Sequence, residues 1–162
     1  MQRHNGFTLI ELMVVIVIVA ILAGIGVPSF RTLIQNNNLT SQTNGLLGLL
    51  QLARSEAVTQ RQQVTVCPSS DQATCNSVDW NDGGLVRRSD STVVRVMPTS
   101  TDMSILGPAS IVYETDGTSA GGALRICDER GNTSSRTISV NAAGQTSSRA
   151  YDEDEGDTAC PS

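Results

Sequence analysis

Sixteen consecutive apolar residues, Leu12 to Val27, dominate the hydropathy pattern of this chain, with Phe7, Leu9 and Ile10 just before them and Phe30 just after Pro28 and Ser29. At a rise of about 1.5 Å per residue, a helix from Phe7 to Val27 spans roughly 30 Å, the thickness of a bilayer's hydrocarbon core. Residues 7–30 therefore read as a membrane-crossing helix. Downstream the pattern becomes amphipathic: Phe30, Leu33 and Ile34 lead to Leu46, Leu50, Ala53 and Ala57 at spacings of three and four, which predicts that residues 31–62 continue the helix to about Arg61. The polar run Gln35 to Asn38 and the glycines Gly45 and Gly48 lower its intrinsic propensity, so packing of Leu46, Leu47, Leu49, Leu50 and Leu52 against a head must hold it. Pro28 should kink or locally open the helix, because it lacks a donor and crowds the preceding turn. Gly24 and Gly26 either add to that opening or allow close helix packing in the membrane.

Beyond residue 62 the period shortens. Val64, Val66 and Cys67 begin a β-like run before Pro68, and strands are predicted at Leu85 to Arg88, Val93 to Met97, Ser110 to Glu114, Ala123 to Cys127 and Arg136 to Asn141. Gly83-Gly84, Asp116-Gly117, Gly121-Gly122 and Arg130-Gly131-Asn132 punctuate them as turns. Alternation is clearest at Leu124 and Ile126 and at Ile138 and Val140. The expected fold is α+β, one long N-terminal helix packed against an antiparallel β-sheet head over residues 63–162.

Length and charge change this picture little. A chain of 162 residues has room for one compact head once the membrane segment is set aside. All 11 basic residues are arginine, and of the 16 acids five lie in Asp152, Glu153, Asp154, Glu155 and Asp157. Without those five the balance is 11 against 11, so the net charge of −5 belongs to a local acidic tail. Such a balance argues against sequence-independent nucleic-acid binding. Four cysteines, Cys67, Cys75, Cys127 and Cys160, fit an oxidising compartment. They allow three pairings; Cys67 with Cys75 closes a short loop through Pro68 and leaves Cys127 for Cys160. No C-x-x-C spacing exists and the single histidine is His4, so no metal site is expected.

The start of the chain carries the most specific chemistry. A cleavable signal peptide would need small residues after the apolar run, but Ile21-Leu22-Ala23 places isoleucine there, and no lipoprotein cysteine stands at its end. Glu11 fits neither scheme, since a carboxylate at the edge of a bilayer segment costs about 2 to 3 kcal/mol near a helix centre. The run Gly6-Phe7-Thr8-Leu9-Ile10-Glu11-Leu12, after a leader of residues 1–6 bearing Arg3, resembles the prepilin signature of type IV pilins and type II secretion pseudopilins. That resemblance implies cleavage after Gly6 by a membrane peptidase, N-methylation of Phe7 and retention of the apolar helix. It also implies an assembly role for Glu11. A carboxylate within an apolar bundle is relieved by a cation, and the Phe7 amine of a neighbouring subunit would set the axial register.

The helix stretch Leu50-Gln51-Leu52-Ala53-Arg54-Ser55-Glu56-Ala57-Val58, followed by Arg61 and a valine-rich strand, is similar to the minor-pilin group of FimU and FimT, related to the pseudopilin GspH. Asp79-Trp80-Asn81-Asp82-Gly83-Gly84 resembles that group's tryptophan-containing turn. Trp80 is expected to pack beneath the turn; a calcium loop is rejected because Gly83 stands where an oxygen ligand is needed. The resemblance implies a minor pilin that helps initiate type IV pilus assembly in a tip complex. Its partners would be other minor and major pilins, the prepilin peptidase and the inner-membrane assembly platform. It would start as a single-pass inner-membrane protein with a periplasmic head and end in the extracellular pilus. A GspH-like pseudopilin of type II secretion and a DNA-binding pilin for natural transformation are the alternatives. DNA receptors of this group carry a C-terminal Gly-Arg-x-Arg; here Gly144-Gln145-Thr146-Ser147-Ser148-Arg149 lacks the first arginine and displaces the second, and acids follow at once, so DNA binding is not expected. The mature chain would hold no histidine and no phosphate loop follows a strand, so neither catalysis nor a cofactor is expected.

Overall fold

A computed structural model describes residues 7–100, 102–152 and 159–161. The chain divides into two compact units, Met1–Asn37 and Asn38–Ser162. Helix α1, Leu9–Gln60, contributes to both.

In the first unit every large apolar side chain from Phe7 to Ile34 is between 50% and 81% exposed. The most apolar 18-residue window has a mean hydropathy of 2.9 and no buried share. With these side chains exposed, this half of the helix has the length and surface of a lipid-facing element. The α-helix continues unbroken through Gly24, Gly26 and Pro28, so the expected local opening is not present. A proline removes one ladder bond, and the flanking bonds can persist around it.

In the second unit α1 turns one face to the core: Leu39, Thr43, Leu46, Leu49, Leu50, Ala53 and Ala57 are buried. Leu47 and Leu52, counted in the apolar face, are only half-buried, because they flank this stripe. The strands are β1 Val64–Pro68, β2 Gly84–Arg88, β3 Val93–Met97, β4 Ser104–Leu106, β5 Ile111–Tyr113, β6 Gly122–Cys127, β7 Arg136–Val140 and β8 Thr146–Ala150. They form two four-stranded sheets in place of one, ordered β3-β2-β1-β5 and β4-β6-β7-β8. Within both sheets the neighbouring strands run antiparallel. Val64, Val66, Val86, Ile111 and Tyr113 from the first sheet meet Ile105, Leu124, Ile126, Ile138 and Val140 from the second around the helix stripe. Full burial of each aliphatic side chain contributes about 1.5 to 3 kcal/mol, which offsets the poor propensity of the Gly45 and Gly48 turns.

Two strands, β4 and β8, were not expected. Ser104–Leu106 is three residues long and Thr146–Ala150 has no apolar alternation, so backbone pairing with β6 and β7 recruits them. Two glycines counted as turn residues, Gly84 and Gly122, lie inside β2 and β6.

Candidate assembly site

Residue Thr8 sits just before α1 and caps it: its carbonyl accepts from the Leu12 amide at 3.1 Å, and its Oγ1 accepts from the Glu11 amide at 3.3 Å. Thr8-Leu9-Ile10-Glu11 thus has the T-x-x-E spacing of a capping box, with Glu11 in the first turn where the helix dipole favours negative charge. Phe7 is 81% exposed. Gly6, the expected cleavage position, lies outside the described residues, as do Arg3 and four of the five tail acids. Among the described residues Glu11 has no ion-pair partner, so within one chain the capped first turn presents a carboxylate on an apolar helix.

The charged residues at the helix end form a clamp. Arg54 donates from Nε to the Gly117 carbonyl at 3.1 Å and from a terminal nitrogen to the Ala143 carbonyl at 2.8 Å. One side chain therefore ties α1 to the β5–β6 connection, which crosses from the first sheet to the second, and to the β7–β8 turn of the second sheet. Glu56 accepts from Arg88 Nε at 2.8 Å and pairs with its terminal nitrogen, fastening α1 to β2. Ala53 and Ala57 flank these anchors along the helix and are fully buried, small side chains that let the strands approach the helix. Neither charged anchor had been assigned a role from sequence. The available signal was their placement one turn from buried alanines on an otherwise leucine-rich helix.

Trp80 heads a single 3-10 turn, Trp80–Asp82, whose N-cap Asp79 accepts from the Asn81 amide at 2.9 Å. Its ring is 1% exposed and its indole N–H donates to the Pro108 carbonyl at 2.9 Å, so it packs beneath the turn. Asn81 Oδ1 accepts from the Ile105 amide at 2.8 Å and so pins β4. Asp71 organises the Cys67–Cys75 loop: bonds from the Thr74 and Ala73 amides and the Thr74 hydroxyl hold its carboxyl well below the usual carboxylate range. The structure pairs Cys67 with Cys75 and Cys127 with Cys160.

Arg149 lies within β8, opposite Thr137, and Gly144 is buried in the preceding turn, so the Gly144–Arg149 stretch is a turn and an edge strand. An open cleft of about 590 Å³ runs between α1 and this hairpin, lined by Gln51, Arg54, Asn141, Gln145, Thr146 and Ser147. It brings no acid and base together. Among the described residues no three His, Cys, Asp or Glu side chains cluster to hold a metal.

Residues 42–144 match the family described as type II transport protein GspH, and residues 1–27 match the prokaryotic N-terminal methylation motif. The chain is 31% identical over 114 residues to type II secretion system core protein G of Klebsiella pneumoniae, covering 67% of this chain and 78% of that one. It is 31% identical over 118 residues to type II secretion system protein H of Pseudomonas aeruginosa, covering 72% of this chain and 62% of that one. Among solved structures, the type IV minor pilin FimU of Pseudomonas aeruginosa superposes with a TM-score of 0.56 at 23% identity, over 68% of this chain and 92% of FimU. The minor pseudopilin EpsH from the type 2 secretion system of Vibrio cholerae gives 0.51 at 11% identity, over 69% and 96%. These two share the fold: a long N-terminal helix packed against antiparallel sheets.

Proposed function

Because this chain belongs to the family of type II transport protein GspH and carries the N-terminal methylation motif, we propose that it is a minor pilin, a non-catalytic subunit that helps initiate type IV pilus assembly in a priming complex at the filament tip. The observation that carries this reading is the start of α1: a Thr8-capped first turn that presents Glu11 on a lipid-facing apolar helix. In this reading prepilin peptidase cuts between Gly6 and Phe7 and methylates the new Phe7 amine. The Phe7 amine of one subunit then neutralises Glu11 of the next, which fixes axial register inside an apolar bundle. Pro28 leaves the Gly24 carbonyl without its ladder donor, making this the point where the helix bends as subunits pack. Before assembly the helix anchors the chain in the inner membrane with its head in the periplasm. The assembly platform then moves it into the pilus beside other minor and major pilins.

Glu11→Val tests the register. The variant should insert and be processed, yet be missing from sheared pili; incorporation at the wild-type level would refute it. A second reading, a type II secretion pseudopilin, draws on the 31% identity to secretion proteins G and H. Deleting the gene separates the two: loss of surface pili supports the pilin, whereas intact pili with blocked enzyme export supports the pseudopilin.

A further inference from the structure

The second sheet has a buried cation on the face turned away from the helix. Arg125, Thr137 and Arg149 stand in one cross-strand row on β6, β7 and β8. Cys127, two residues along β6, shares the face of Arg125. Leu124 and Ile126 fill the core on the opposite face, yet Arg125 between them is only 3% exposed. Simple in-out alternation would have put it in solvent. Its Nε and a terminal nitrogen donate to Ser135 Oγ at 3.2 and 2.8 Å, and the same terminal nitrogen donates to Asn132 Oδ1 at 2.9 Å. The other terminal nitrogen is buried and has no hydrogen-bond partner among the described residues. Burying a guanidinium is costly, so something must repay its position.

What it holds is the chain's own C-terminal segment, at both ends. The Tyr151 ring, the first residue after β8, lies over the guanidinium at 3.8 Å from its centroid. Asn132 Oδ1, already bonded to Arg125, also accepts the backbone N–H of Cys160 at 2.7 Å. Ser135 Oγ donates to the Asn132 carbonyl at 2.7 Å, fixing that residue in turn. Cys160 then meets Cys127 with a Cα–Cα distance of 5.8 Å, within the range a disulfide spans.

We propose that the Arg125–Asn132 pair is a docking site for the C-terminal segment that seats Cys160 against Cys127 before oxidation and so selects this pairing. Cys67 and Cys75 are 8 positions apart and meet through their own short loop, whereas Cys127 and Cys160 are 33 apart. An undocked tail would meet Cys67 or Cys75 at a concentration set only by chain length. Docking replaces that random search by a local one. The chemistry is thiol–disulfide exchange with a small-molecule disulfide such as oxidised glutathione. The Cys160 thiolate attacks one sulfur and expels a glutathione thiolate; the Cys127 thiolate then attacks the Cys160 sulfur and expels the second. The two cysteine thiols lose two protons and two electrons, and one oxidised glutathione becomes two reduced. Arg125 and Asn132 act as positioning residues, neither touching the sulfurs.

The test uses the full chain in detergent micelles, reduced and then reoxidised with glutathione, with samples alkylated over time and mapped by non-reducing peptide analysis. Asn132→Ala and Tyr151→Ala should each slow formation of Cys127–Cys160 by about tenfold or more and produce Cys160 paired with Cys67 or Cys75. Cys67–Cys75 should form at the wild-type rate whenever Cys160 is blocked by Cys160→Ser. Arg125→Lys should not rescue Arg125→Gln, because an ammonium cannot bridge Ser135 and Asn132 while lying flat beneath Tyr151. Wild-type rate and pairing in Asn132→Ala and Tyr151→Ala would overturn the proposal. So would equal slowing of both disulfides, which would make folding of the whole head the selector.

Discussion

The clamp at Arg54 makes a sharp prediction at the two glycines it gathers. Gly117 and Gly144 both adopt positive φ, +81° and +70°, so alanine at either incurs a left-handed backbone cost of about 1 to 2 kcal/mol. Their surroundings differ. A Cβ at Gly117 would meet Val58 Cγ2 at 2.8 Å, and Val58 is 48% exposed and free to rotate. A Cβ at Gly144 would fall 1.9 Å from the Gly117 carbonyl oxygen and 3.2 Å from Arg54 Nε. That oxygen is backbone and accepts from Arg54, so relieving the clash separates the two turns and weakens a charge-assisted bond. Overpacking of this kind costs about 1 to 3 kcal/mol, and a disturbed bond to a charged donor a similar amount. Gly144→Ala should therefore cost roughly 2 to 3 kcal/mol more than Gly117→Ala. At roughly 4 °C per kcal/mol for a unit of this size, the melting temperatures should differ by roughly 8 to 12 °C. Thermal unfolding followed by circular dichroism in micelles measures both. Equal losses in the two variants would refute the interlocked-turn reading.

Three further outcomes are expected. Tyr113 has a fully buried hydroxyl without a hydrogen-bond partner among the described residues, and burial pushes its phenol from 10.0 up to about 12, opposed in part by Arg54; the folded chain holds this proton more tightly, so the stabilisation is complete below pH 10 and roughly 2 kcal/mol is lost as pH rises to 12. Tyr113→Phe should be close to neutral at pH 7 and should flatten that alkaline fall in urea titrations, and an unchanged slope would refute the assignment. Trp80→Phe removes the 2.9 Å bond to the Pro108 carbonyl and leaves that acceptor unpaired, for a loss of about 1 to 3 kcal/mol by chemical denaturation, with no loss counting against it. Gly6→Val should leave an uncleaved, longer precursor in membranes on immunoblots, and processing at the normal rate would show that the leader has been misread.

The helix–head interface was partly legible from sequence. Leu46, Leu50, Ala53 and Ala57 announced the buried stripe by their spacing, and the structure buries all four. Arg54 and Glu56 stood in the same stretch without a role, since their partners Gly117, Ala143 and Arg88 lie 63, 89 and 32 residues away. Nothing local states which loop will arrive beside a given arginine. The Thr8 cap on Glu11 spans only three residues, yet it too was not read from the sequence, where Glu11 stood out for its charge alone.

Sequence alone determined the properties that depend on near neighbours. The apolar run set a membrane-length helix because bilayer thickness and helical rise are both fixed lengths. Period and turn residues placed β2, β3, β5, β6 and β7, because a strand that faces a core must alternate or carry β-branched residues. Only the tertiary structure decided that the strands divide into two sheets, that β4 and β8 join their edges, and that Arg125 lies buried. Each of these depends on pairings across tens of residues, whose closure is set by the summed packing of the whole head, a quantity no single window of the chain contains.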